Sequence, residues 1–142
     1  MALTEDVWKK HKFVISTFLR RKNDVEKDDE EICFISDLVA TLYGQVVQDL
    51  VYAENRLKEL EGTLKGSIRR KLLNSTLGGK ITEAQIDEAF LGEPEVLKAK
   101  AVLGPLRARE AYLQATLQGS LPAKRQYIER HKNAITTAII NQ

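Results

Sequence analysis

Residues 35–64 read ISDLVATLYGQVVQDLVYAENRLKELEGTL, and their apolar positions decide the fold. Ile35, Val39, Leu42, Val46, Leu50, Ala53, Leu57, Leu60 and Leu64 recur in steps of four and three. That spacing keeps one narrow seam of a helix facing a partner helix, and from Val46 to Leu64 it is of coiled-coil type. Beyond Leu64 the steps become four and four through Ile68 and Leu72, a stutter that shifts the seam. The helical pattern runs from Glu31 to about Leu77, so a rod on the order of 70 Å is expected at 1.5 Å per residue. Gly44, Gly62 and Gly66 each lower helix propensity by about 1 kcal/mol, and they read as points of close backbone approach or bending.

Working outward toward the start, Thr4 caps a first helix whose stripe is Val7, Trp8, His11, Val14, Ile15, Phe18 and Leu19. Lys9, Lys10, Lys12, Arg20 and Arg21 frame that stripe. It reads as a helix packed on the rest of the protein, with a membrane-surface or DNA-contacting arm as the alternative. Asn23-Asp24 breaks it, and the acidic run Glu26 to Glu31 marks a hinge or the first turns of the long helix, where negative charge is favourable.

Toward the end, Gly78-Gly79 closes the long helix. Thr82 with Gln85 forms a capping box for a short helix, stapled by Ile81 over Ile86 and ending near Gly92. Pro94 opens the next helix, in which Val96, Ala99, Leu103, Leu106, Leu113 and Leu117 mirror the seam. Pro105 removes one backbone bond and predicts a kink, and Gly119-Ser120-Leu121-Pro122 predicts a bend or break. Tyr127, Ile128, His131, Ile135 and Ile139 stripe a last helix whose apolar end asks for cover. The expectation is an all-α fold: a long antiparallel helical hairpin of 31–77 and 94–118 with additional short helices, elongated and oligomeric. Residues 1–24 form a basic amphipathic helix, 25–119 the hairpin, and 120–142 an assembly helix.

The 142 residues suit one domain, or one domain with a mobile extension, and a formal net charge of +2 argues little by itself. Its distribution says more. Lys and Arg outnumber Asp and Glu six to two over 1–22, and acids outnumber bases seven to one over 23–40. Residues 62–80 carry five bases and no acid, 81–95 five acids and no base, and 96–142 eight bases against two acids. Such blocks pair within a fold, pair between subunits, or face phosphates. The single cysteine, Cys33, allows no internal disulfide and reads as a buried thiol in Ile32-Cys33-Phe34-Ile35. No signal-like start and no apolar run of membrane-spanning length is present, so the host cytoplasm is the expected setting, away from membranes.

Catalytic constellations are not recognisable. Gly78-Gly79-Lys80 is too short for a phosphate loop and follows a helix. His11 and His131 have no ligand-spaced partner and read as surface or interface residues, so no metal and no cofactor is expected. Asp87 and Glu88 are adjacent and point to different sides of a helix, unsuited to acid–base pairing. The chain reads as a non-enzyme. Arg69, Arg70 and Lys71 spread charge over a wide arc, with Lys65 one turn before and Lys80 just past the glycines. That cluster fits sequence-independent phosphate contact, and it fits pairing with acidic surfaces of another helix or subunit equally well.

The order of these features resembles the phage UvsY-type recombination mediator proteins. The similarity runs from about Asp28 to Asn133. It rests on Leu42-Tyr43, on Arg69-Arg70-Lys71-Leu72-Leu73 before a glycine turn, on Glu83 through Val96, and on Lys124-Arg125 with Ile128 to His131. The resemblance implies a ring-like homo-oligomer that binds single-stranded DNA and helps load a RecA-like recombinase onto strands coated by single-stranded-DNA-binding protein. It places DNA contacts at Arg69 and Lys71; Arg70, Lys65 and Lys80 extend that basic segment. Lys124 and Arg125 would form a secondary basic surface, and Ile128, Ile135 and Ile139 the oligomer interface. Gly104-Pro105 and the basic helix before Asn23 depart from the family pattern. The alternative is a structural or adaptor phage protein using the cluster for protein contacts.

Overall fold

A computed structural model describes residues 3–75 and 79–141. It is all-α: α1 (Glu5–Arg20), α2 (Val25–Ser75), α3 (Glu83–Leu91), α4 (Pro94–Ala115), one π turn (Thr116–Ser120) and α5 (Leu121–Ile140), with no strand among the described residues. The helix starts follow from local chemistry. Thr4 Oγ1 accepts from the Val7 amide at 3.3 Å, Asp24 Oδ1 accepts from the Lys27 amide at 3.1 Å, and the Thr82–Gln85 capping box closes reciprocally at 3.1 and 3.3 Å. The acidic run is therefore the first turns of α2, not a hinge.

The chain divides into two units. The first comprises 1–46 with 109–142, so it gathers α1, the start of α2, the end of α4, the π turn and α5. Trp8, Ile15, Phe18, Ile35, Val39, Leu42, Val46, Leu113, Leu121 and Ile128 are its buried apolar residues. It also buries charge. Asp28, fully inaccessible, meets Lys124 Nζ at 2.8 Å and Arg21 Nε at 2.6 Å, while the Arg21 carbonyl accepts from Lys124. The Arg21 guanidinium, first through its hydrogen bond to Glu31, is held above its ordinary pKa. Arg109 reaches Glu5 at 2.7 Å and the Leu3 carbonyl at 3.1 Å, under Trp8. Tyr127 Oη donates to the Lys22 carbonyl at 2.7 Å. α1 is thus fastened to α4 and α5 by polar clamps over an apolar layer.

The second unit spans 47–108. Its core is Leu60, Ile68, Ile86, Phe90 and Val96, with Leu57, Leu64, Leu72, Ile81, Ala89 and Ala99 packed on it. The seam expected along α2 is the buried face, and the seam of α4 is buried at Val96, Leu103, Leu106 and Leu113.

Several expectations change. Pro105 lies inside α4, which runs unbroken from Pro94 to Ala115, and no loop separates α4 from α5 at 119–122. Instead the π turn hands α4 to α5: the Leu121 amide bonds to the Thr116 carbonyl, five residues back, and Pro122 enters the first turn of α5, where a missing N–H costs least. Cys33 is exposed, because helical periodicity turns Ile35 inward and leaves Cys33 and Phe34 outside. Gly44, Gly62 and Gly66 face open space, with no atom within 4 Å of an added Cβ, so no close backbone approach uses them. Gly78 lies outside the described residues.

Candidate nucleic-acid interface

The basic end of α2 belongs to the second unit, and its five cations divide into two groups. Lys65 and Arg69 stand one helical turn apart, as do Glu83 and Asp87 on α3, so the two helices present matching steps of charge. Lys65 Nζ lies 3.0 Å from Asp87 and 3.0 Å from Glu61, and 5.4 Å over the Phe90 ring. Its pKa is raised, mainly by the hydrogen bond to Asp87 and next by that to Glu61. Arg69 Nη2 lies 2.7 Å from Glu83. The pairing runs 65 with 87 and 69 with 83, and Ile86 and Phe90 between them are the apolar anchors of α3.

Arg70, Lys71 and Lys80 are exposed and have no carboxylate partner among the described residues. About 100° per residue rotates Arg70 and Lys71 away from the side of α2 that meets α3. Lys98, Lys100 and Arg107 on α4 are also exposed without an ion pair among the described residues. Motif reading passed over them, although the basic surplus beyond residue 96 was their signal.

The secondary basic surface is corrected at one position. Lys124 is 6% exposed, its ammonium spent on Asp28 and on the Arg21 carbonyl, and it lies 5.3 Å from the rings of both Phe18 and Tyr127. Arg125 remains exposed and donates to Ser36 Oγ at 2.8 Å. Of the expected interface residues, Ile128 is already covered within the first unit, at 2% exposure, whereas Ile135 and Ile139 are open. His131 stacks on Tyr127 at 4.0 Å and touches its carbonyl, and His11 is half-buried. The cavity lined by Leu19, Arg21, Lys22, Ser120, Ala123, Lys124 and Tyr127 holds about 300 Å³, but the Arg21 and Lys124 cations in its wall are already paired with carboxylates.

Among the described residues no group of three or more His, Cys, Asp or Glu could hold a metal ion, and no helix is long and apolar enough to cross a membrane. No protein-family model, curated protein or solved structure matches this chain.

Proposed function

We propose that this is a non-catalytic single-stranded-DNA-binding protein of the UvsY-type mediator kind. One observation carries the reading: Arg70, Lys71 and Lys80 are exposed without carboxylate partners, beside Lys65 and Arg69, whose ion pairs lie at the surface. Surface pairs are weak because water screens them, and a strand of phosphates can displace them while releasing its counterions. In this reading 31–77 and 94–118 act as an antiparallel hairpin and several copies assemble into a ring-like homo-oligomer. The exposed Ile135, Ile139 and Ile140 support assembly. Repeated clusters then hold one strand through many weak contacts, which favours nucleation of a RecA-like recombinase on strands coated by single-stranded-DNA-binding protein in the host cytoplasm.

The test is fluorescence anisotropy with unstructured oligonucleotides of different sequence across a salt series. Arg70→Ala with Lys71→Ala should weaken binding alike for every sequence. It should also flatten the plot of log affinity against log salt by about 1.4 per contacting subunit, at about 0.7 per phosphate. An unchanged slope would remove the cluster from the interface. A second reading, a structural or adaptor protein, is favoured by the Lys65–Asp87 and Arg69–Glu83 pairs, which already engage protein carboxylates. An adaptor would show no salt-dependent shift with any oligonucleotide.

A further inference from the structure

Phe13 is 71% exposed, near the middle of α1. At 3.6 residues per turn, Lys9, Lys10, Thr17 and Arg20 share its outward side. All four are exposed, and the one acid on that side, Asp6, lies two turns earlier near the helix start. The opposite side of α1 carries Trp8, Ile15 and Phe18 into the core of the first unit, and Ser16 is tied to Tyr112 Oη at 2.8 Å. The outward face is therefore rigidly presented and has no packing role among the described residues. A single exposed ring is ordinary by itself; what sets Phe13 apart is that it stands among Lys9, Lys10 and Arg20 on one face.

We propose that this face is a second contact for a single nucleic-acid strand, with Phe13 as a stacking platform for a base and Lys9, Lys10 and Arg20 as phosphate contacts. The inference rests on the reading of the protein as a single-strand binder, but on none of the residues of the α2 cluster. One ring among cations spaced a turn apart is the arrangement that tracks a backbone and stacks an unpaired base, independent of sequence. Duplex DNA offers no free base face to Phe13. A membrane surface is disfavoured because Trp8, Ile15 and Phe18 of α1 are spent on the core, which leaves Phe13 with Val7 and Val14 at the flank as its exposed large apolar side chains. A second copy is disfavoured because three of the five acids in the run it would offer are engaged: Asp28 with Arg21 and Lys124, Glu31 with Arg21, and Asp29 with Lys132.

The full chain should be titrated with a fluorescent oligothymidylate and with an abasic oligonucleotide of equal length. The unmutated protein should prefer the base-bearing strand, and Phe13→Ala should erase that preference by weakening oligothymidylate binding about tenfold, within the range of one base–aromatic stack. Phe13→Trp should retain it. Lys9→Ala with Lys10→Ala should weaken both ligands and flatten the salt slope. Equal binding of both strands by the unmutated protein, or Phe13→Ala with unaltered preference, overturns the proposal. If Phe13→Ala is silent while Arg70→Ala with Lys71→Ala weakens binding, the α1 contact fails and the α2 reading stands. The reverse pattern keeps the α1 contact and moves the interface away from α2. Binding to anionic phospholipid vesicles that Phe13→Ala abolishes, without oligonucleotide binding, reassigns the face to membranes and refutes both.

Discussion

Neutralising the acidic edge of α3 should make the protein a better ligand for single strands. Glu83→Gln with Asp87→Asn removes the carboxylates that lie 2.7 Å from Arg69 and 3.0 Å from Lys65. Neither residue belongs to the unit's core, and α3 keeps Ile86, Phe90 and its capping box. Glu83→Gln also gives up a favourable charge in the first helical turn, about 0.3–1 kcal/mol, so α3 should stay formed. Arg69 then has no carboxylate partner among the described residues, and Lys65 keeps only its surface pair with Glu61. That pair is weak enough for phosphate to displace, so two cations per subunit become available. At about 0.7 per single-strand contact, the salt slope should steepen by about 1.4 per contacting subunit. If the two proteins bind equally at 1 M salt, the variant should bind about 25-fold tighter at 0.1 M for each contacting subunit, by the same slope. Anisotropy over a salt series reads both quantities, and circular dichroism at 222 nm checks that helicity is unchanged. A variant with native helicity and an unaltered or shallower slope would show that Lys65 and Arg69 do not exchange protein carboxylates for phosphates.

Lys124→Met strands the buried Asp28 carboxylate with Arg21 alone, and a urea titration followed by the single tryptophan, Trp8, should show a loss of about 3–5 kcal/mol; a loss below 1 kcal/mol would mean water reaches the pair. Gly62→Ala and Gly66→Ala fill open space on an exposed helix face, and each should stabilise by about 0.5–1 kcal/mol in the same assay, whereas destabilisation would reveal a close partner there. Because the Lys65 pKa is raised, its contribution to holding α3 is complete below the ordinary lysine value of 10.5 and is lost as pH rises through the higher folded value. The difference between the unmutated chain and Lys65→Met in denaturation midpoint should therefore be flat from pH 7 to 10 and shrink above it; shrinkage near neutrality would contradict the pairing. Ile135→Asp with Ile139→Asp alters two side chains that are 49% and 65% exposed, so helicity should persist, and sedimentation should show a smaller species than the unmutated chain.

Much of the local structure was legible because it depends on neighbours in the chain. The cap at Thr4, the capping box of Thr82 and Gln85, the start at Pro94 and the seam from Ile35 to Leu72 all follow from spacings of three or four residues. The charged groups were less legible. Lys124 and Arg109 look like ordinary surface cations in sequence, yet each is buried because a carboxylate and a backbone carbonyl about 100 positions away complete its hydrogen bonds. The gap in the α4 seam between Leu106 and Leu113 is where Arg109 enters, its guanidinium over the Trp8 ring. Cys33 failed for a different reason: an apolar run on a helix is only half inward, and its neighbours do not say which half.

By itself, then, the order of residues determined an all-α chain, the positions of its helices and the buried face of the long one. These are consequences of backbone capping and 3.6-residue periodicity, which act over a turn or two. Only tertiary structure decided which cations are spent. Residues 62–80 hold five bases and no acid, and still Lys65 and Arg69 are neutralised, because α3 folds its own acids back across the interval. Charge pairs across space, at distances set by Ile86 and Phe90 packing on Leu60 and Ile68, and that packing leaves Arg70, Lys71 and Lys80 as the cations of the cluster with no carboxylate partner among the described residues.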